Sequence, residues 1–170
     1  DDHYGYFVTT DAFMLPEDDY DIESYIRNTT DNGNYGSGLV FGGSDAGHNY
    51  FRYSIGYYYV GDTEGVWQDW TEAQDGNIED WNLLTVRKYK NKYYYFLNSN
   101  FEYEDDYNIF GNEFGFIFDK NTKVDVDDIG VWKMVFGPAK STKGKQRIVS
   151  PKKYPSGNIA PSNLKMKSLK

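Results

Sequence analysis

The chain has no cysteine, two histidines and five prolines in 170 residues. Without Cys there is no disulfide framework, no thiolate metal centre and no cysteine nucleophile. The compartment stays open, because inference runs from a disulfide to an oxidising compartment and not the reverse. His3 and His48 are far apart in sequence, with no H-x-x-x-H spacing and no Ser or Cys partner motif. Neither zinc ligation nor a nucleophilic triad is indicated. No apolar run approaches the length of a membrane span. Alanine and leucine, the helix staples, are scarce. The chain also opens on Asp1-Asp2-His3 without a leader pattern and is in strand pattern by Tyr4. That abrupt start reads as a piece of a longer multidomain protein, and an extracellular or cell-envelope setting is favoured.

What is present is aromatic and turn-forming. Aromatic residues make up 19% of the chain, with 17 Tyr, and there are 17 Gly. This composition suits strands and turns and predicts an all-β fold with one core. The net charge of −8 is unevenly spread. Residues 1–139 carry nine basic against 26 acidic groups, a formal −17, whereas the nine Lys and Arg from Lys140 to Lys170 have no acidic neighbour. An acidic body repels nucleic acid phosphates, so no nucleic acid partner is expected. The expected division is a β-sandwich domain over 1–137 and a basic linker or flexible tail over 138–170, where only Arg147-Ile148-Val149 has strand character.

The organising stretch runs from Asn82 to Phe101. Two runs, Leu83 to Tyr89 and Tyr93 to Leu97, flank Lys90-Asn91-Lys92, a connection that fits only a hairpin, with Asn91 suited to the positive φ of its turn. An Asn98-Ser99-Asn100 turn leads to a third strand at Phe101-Glu102-Tyr103. Upstream, Tyr4 to Thr10 reads as an edge strand. Tyr20, Ile22, Ser24 and Ile26 alternate with Asp21, Glu23, Tyr25 and Arg27. Asn32-Gly33 signals a hairpin into Gly36 to Phe41, and Tyr50 to Ile55 and Tyr57 to Val60 flank Gly56, a bulge or turn. Val66 to Trp70, Gly111 to Phe118, Val124 to Val126 and Ile129 to Phe136 complete the strands, the last two parted by Asp127-Asp128.

The order of several of these pieces resembles the concanavalin A-like lectin and glucanase superfamily, in its laminin-G-like and 3-keto-disaccharide hydrolase-like bacterial branches. The residues that carry the resemblance are Tyr20-Asp21-Ile22-Glu23, Gly38-Leu39-Val40-Phe41-Gly42, Asn49-Tyr50-Phe51-Arg52-Tyr53, Trp81-Asn82-Leu83-Leu84-Thr85-Val86, Tyr95-Phe96-Leu97-Asn98, Gly115-Phe116-Ile117 and Asp127-Asp128-Ile129. Together they span residues 20–136. Ser99 departs from the glycine usual after that Asn. The resemblance implies a two-sheet antiparallel jelly roll of the concanavalin A-like kind.

It also implies two function classes. Glucanases of the superfamily present carboxylates at i, i+2 and i+4 of one strand in the form E-x-D-x-E, and Asp19, Asp21 and Glu23 offer that spacing with a shorter first acid. The other class is a carbohydrate-binding module without catalysis, for which the aromatic excess speaks: sugars stack their C–H faces on exposed rings while Arg, Asp and Asn fix the hydroxyls. Arg52, Tyr58, Trp67 and Trp70 are the expected ligand-binding residues. Arg52 alternates out of register with Phe51 and Tyr53, and the odd spacing of Trp67 and Trp70 puts them on opposite faces unless a bulge intervenes. A structural or protein-interaction module without a sugar ligand is the third class. Asp125, Asp127 and Asp128, or Asp45 with Asn49, offer oxygen ligands to a structural calcium, and no other cofactor or catalytic metal is expected.

Overall fold

A computed structural model describes residues 4–9, 18–29, 36–77, 80–106, 110–119, 122–135, 152–155 and 164–168; at 4–9, 67, 119, 135, 152–155 and 164–168 the description is of the backbone alone. Period-2 sequence and closely spaced turns give an all-β chain. Its strands are β1 (Tyr4–Thr9), β2 (Tyr20–Asn28), β3 (Ser37–Ser44), β4 (Gly47–Ser54), β5 (Tyr57–Asp62), β6 (Val66–Glu72), β7 (Asn82–Tyr89), β8 (Lys92–Leu97), β9 (Asn100–Asp105), β10 (Glu113–Asp119), β11 (Val124–Val135), β12 (Lys152–Pro155) and β13 (Leu164–Ser168). They form two sheets, ordered β13-β1-β10-β3-β4-β5-β6 and β12-β11-β2-β7-β8-β9. The pairings are antiparallel, both in the local meanders β3 to β6 and β7 to β9 and in the long-range pairs of β2 with β7 and β10 with β3. The architecture is the two-sheet antiparallel jelly-roll sandwich that the resemblance implies.

The core lies where the inward side chains of the two sheets meet. On β2 the alternation is as the sequence predicts: Tyr20, Ile22, Ser24 and Ile26 are buried at 5% exposure or less, while Tyr25 on the other face is exposed. The register of β7 with β8 sets Val86 against Tyr95 and Leu84 against Leu97, all four inward and fully buried. Leu39 and Phe41 of β3, Phe51 and Tyr53 of β4, and Phe116 of β10 come from the opposite sheet. Rings interlock across the gap: Phe41 lies 5.0 Å from Tyr93 and Phe51 lies 5.2 Å from Tyr95, both tilted as aromatic quadrupoles prefer.

The central hairpin is tighter than expected, because Tyr89 pairs with Lys92 and leaves a two-residue turn. The positive φ falls on Lys90 (+57°) rather than on Asn91. Lys90 N–H is held there by Asp19 Oδ1 at 2.5 Å, a long-range contact that local turn chemistry does not reveal. The next turn needs no glycine: Asn98 and Ser99 take φ of +49° and +70°, and Asn98 Oδ1 accepts from Leu83 N–H at 2.9 Å. Gly56 sits in a turn, with Ile55, between β4 and β5. Asp127-Asp128 does not separate two strands. Instead β11 runs through it with a bulge between Asp127 and Gly130, Asp128 at φ +49° and Ser24 Oγ donating to the Asp127 carbonyl at 3.0 Å.

Two strands come from the segment that reads as linker or flexible tail. β12 pairs with β11 at one edge and β13 pairs with β1 at the other, so β1 is flanked on both sides. Leu164-Lys165-Met166-Lys167-Ser168 does alternate; its lysines mask the pattern, and lysine is a usual guard of edge strands. Arg147-Ile148-Val149 and the Asn32-Gly33 turn lie outside the described residues. Among the described residues no helix is long and apolar enough to cross a membrane.

The buried tyrosines give the fold an alkaline limit. Tyr20 and Tyr93 share a hydroxyl hydrogen bond of 3.3 Å inside the core. Burial pushes the Tyr20 phenol well above its ordinary range, with Tyr93 adding to the rise; burial likewise takes Tyr93 up to about 12, against a lowering contribution from its bond to Tyr20. A phenol whose folded pKa exceeds its unfolded value contributes stability that is fully present below pH ~10 and is lost as pH rises through the folded value. The thermal midpoint should therefore hold up to about pH 9.5 and fall between about 10 and 12. Tyrosinate absorbance should lag behind ionisation of free tyrosine until the fold is lost. Full ionisation of all 17 Tyr below about pH 10.5 with the fold intact would contradict this.

Candidate functional site

The outer face of the seven-stranded sheet is built by parity along β4. Phe51 and Tyr53 point inward, so His48, Tyr50 and Arg52 share the opposite face. The Ile55-Gly56 turn pairs Ser54 with Tyr57, which sets Tyr53 opposite Tyr58 and Arg52 opposite Tyr59. Tyr58 is consequently a core residue, 4% exposed, packed edge-on to Phe51 and donating its hydroxyl to the Glu102 carbonyl at 3.2 Å. Expected on the binding face with Arg52, it lies on the other side of the sheet. Tyr59 takes the outer position.

Trp70 reaches the same face through a bulge. Tyr58 pairs with Thr71 and Val60 with Gln68, so Asp69 and Trp70 together oppose Tyr59 alone. Local side chains hold this irregularity: Asp69 Oδ1 accepts from Trp70 N–H at 2.8 Å, Thr71 Oγ1 donates to the Asp69 carbonyl at 2.8 Å, and Gln68 Nε2 donates to Thr71 Oγ1 at 2.7 Å. Trp67 belongs to β6, and its side chain lies outside the described residues.

The result is an aromatic ladder with a cation set into it. Tyr50 stacks on Tyr59 at 5.8 Å and an interplanar angle of 14°, and Tyr59 meets Trp70 at 5.3 Å. Arg52 is 4% exposed, with its guanidinium carbon 5.7 Å from the Tyr59 ring and 5.6 Å from the Trp70 ring. Cation–π attraction of this kind strengthens when the cation is desolvated. Gly61 leaves the space the ladder needs, since a Cβ there would come within 3.0 Å of Tyr50 Cε2 and 3.2 Å of Tyr59 Cε1. Tyr50 donates its hydroxyl to the Asp62 carbonyl at 2.7 Å, and burial, reinforced by Tyr59, raises its phenol pKa. His48 lies 6.0 Å from Tyr50 at the far end. Tyr50, Tyr59 and Trp70 are all half-buried, each with part of its surface open to solvent. Such a surface can stack on the C–H face of a sugar ring.

Tyr50, Tyr59 and His48 escape a reading that lists conspicuous residues singly. Counting parity from Arg52 identifies Tyr50 and His48, and the two-residue turn at Gly56 identifies Tyr59.

The carboxylate series lies on the other sheet. Asp21 is 1% exposed and held by Arg87 in a two-pronged ion pair, Nε to Oδ1 and Nη2 to Oδ2 at 2.8 Å each. Asp19 accepts from Lys90 N–H, and Glu23 Oε1 lies 3.5 Å from Thr85 Oγ1. The residues that offer oxygen ligands to a structural calcium lie on β11 and around the β3–β4 turn. Asp125 pairs with Arg27 at 2.6 Å, Asp127 Oδ1 accepts from Asp128 N–H at 2.9 Å, and Asn49 is buried beneath the sheet while Asp45 is exposed in the β3–β4 turn. Among the described residues no cluster of three or more acidic, His or Cys side chains is placed to hold a metal ion.

No protein-family model and no curated protein sequence matches the chain. Solved structures with the same fold do. The carbohydrate-binding module CBM66 of Bacillus subtilis aligns with a TM-score of 0.50 at 13% identity, covering 77% of this chain and 83% of the module. The Caenorhabditis elegans galectin LEC-6 aligns with a TM-score of 0.50 at 11% identity over 72% of this chain and 88% of the galectin. A heptameric pentraxin of Limulus polyphemus gives 0.51 at 10% identity over 76% and 70%. These are jelly-roll, lectin-like β-sandwiches, and at such identities the likeness is one of fold.

Proposed function

We propose that this chain is a non-catalytic carbohydrate-binding module of the concanavalin A-like kind, with its ligand on the outer face of the seven-stranded sheet. The observation that carries the reading is the placement of Arg52 against both Tyr59 and Trp70. Pinned under two rings, the guanidinium fixes their orientation and leaves the half-exposed aromatic faces as a preformed platform, which limits the ordering cost of binding. The fold is shared with a carbohydrate-binding module and a galectin, which is consistent with sugar recognition. An exported bacterial protein of several domains is the setting we propose for it.

The glycosidase alternative finds less support. A general acid must be free to exchange its proton, and the helper must face the sugar. Asp21 is instead held on both oxygens by Arg87, and Asp19 caps the β7–β8 turn. A glycan array followed by calorimetric titration tests the proposal. The expected dissociation constant is micromolar to millimolar, and Trp70→Ala should weaken it about fivefold to tenfold through loss of one stacking ring. If no glycan binds, the structural or protein-interaction module is the better reading. Turnover of a β-glucan that Glu23→Gln abolishes would establish the enzyme instead.

A further inference from the structure

A concavity lies between the sheets, lined in part by Gly38 of β3, which pairs with Arg52 of β4. It has a volume of about 390 Å3 and is walled by Ile26 of β2, Phe116 of β10 and Val124, Val126 and Ile129 of β11, with Thr122 at its margin. Val126 and Ile129 are three residues apart and would face opposite sides of a regular strand. The bulge between Asp127 and Gly130 brings both to the same slot. Val126 remains 37% exposed, an apolar side chain left facing water. The volume falls in the range of small-molecule sites.

Two observations point to the chemistry of an occupant. Among the described residues that line it none is charged, so a carboxylate or ammonium brought here would lose its hydration without a counter-charge from them. The Thr122 hydroxyl is buried and has no hydrogen-bond partner among the described residues. A buried hydroxyl without a partner is uncommon in a folded core. A rotation about χ1 exchanges the hydroxyl and methyl of a threonine, so a group inside the slot can supply the missing partner.

We propose that this slot binds a neutral aliphatic molecule of medium chain length whose single hydroxyl or carbonyl group pairs with Thr122. The ladder built on Arg52, Tyr59 and Trp70 plays no part in it. Calorimetric titration with a series from 1-hexanol to 1-nonanol tests the idea. Affinity should rise about threefold to fourfold per methylene until the slot is full. Nonanoate at neutral pH should bind at least tenfold more weakly than 1-nonanol, because its charge finds no partner. Val126→Trp at the mouth and Ile129→Phe inside should each abolish saturable binding. Thr122→Val should weaken 1-nonanol about fivefold, and Trp70→Ala should leave it unchanged. Absence of saturable alcohol binding, equal binding of nonanoate, or full binding by both filled variants would overturn the proposal. Loss of alcohol binding in Trp70→Ala would also overturn it, by placing the alcohol on the ladder.

Discussion

Gly38→Ala is expected to cost on the order of 3 to 5 kcal/mol of stability, among the largest effects of any single substitution in this fold. Gly38 lies on β3 opposite Arg52 of β4. A Cβ added there would stand 1.8 Å from the Phe51 carbonyl oxygen and 2.6 Å from the Arg52 Cα. Both obstacles are backbone, so no rotamer change relieves them. The strands would have to separate between Leu39 and Phe51, two side chains that are at most 1% exposed in the core. Glycine in a strand often marks such a close approach. Chemical denaturation should show the midpoint falling steeply, with the denaturant slope retained if two-state behaviour persists. A loss below about 1 kcal/mol would mean that β3 and β4 are not this close.

Much of the fold is legible in the chain because its layers depend on period-2 patterns. Tyr20, Ile22 and Ile26 against Asp21, Tyr25 and Arg27 place β2 correctly, and the runs around Lys90-Asn91 identify the central hairpin. The deviations arise where long-range contacts decide local geometry. Lys90 rather than Asn91 takes the left-handed conformation in a turn where Asp19, 71 residues away, caps its N–H. Asp127-Asp128 looks like a strand break, since two adjacent acids disfavour a strand interior. Pairing of β11 with β2 on both sides of the bulge outweighs that preference.

The binding face is only partly legible. Arg52 follows from alternation with its buried neighbours, but the run Tyr57-Tyr58-Tyr59 carries no polarity contrast to show which ring is inward. The register across Ile55-Gly56 decides it, assigning Tyr58 to the core and Tyr59 to the surface. Trp70 depends on a bulge whose existence rests on Asp69 and Thr71 hydrogen bonds. The carboxylate series shows the reverse. Its spacing is suggestive in sequence, yet Arg87 comes from 66 residues away to pair with Asp21.

The measurement that tests the central claim most directly is calorimetric titration of the glycan selected by the array. It compares the native protein with the double variant Tyr59→Leu, Trp70→Ala and with Tyr58→Phe. The double variant removes both rings that flank Arg52. Each ring contributes on the order of 1 kcal/mol or more, so together they should weaken binding by roughly 30-fold to 100-fold. Both lie on the outer face, so the thermal midpoint should change little beside that loss. Tyr58→Phe removes only the hydroxyl that bonds the Glu102 carbonyl on the inner face. It should lower stability by about 1 kcal/mol and leave the glycan affinity as it was. A double variant that binds as the native protein does, or a Tyr58→Phe variant that loses the glycan while remaining folded, would contradict the assignment of this face.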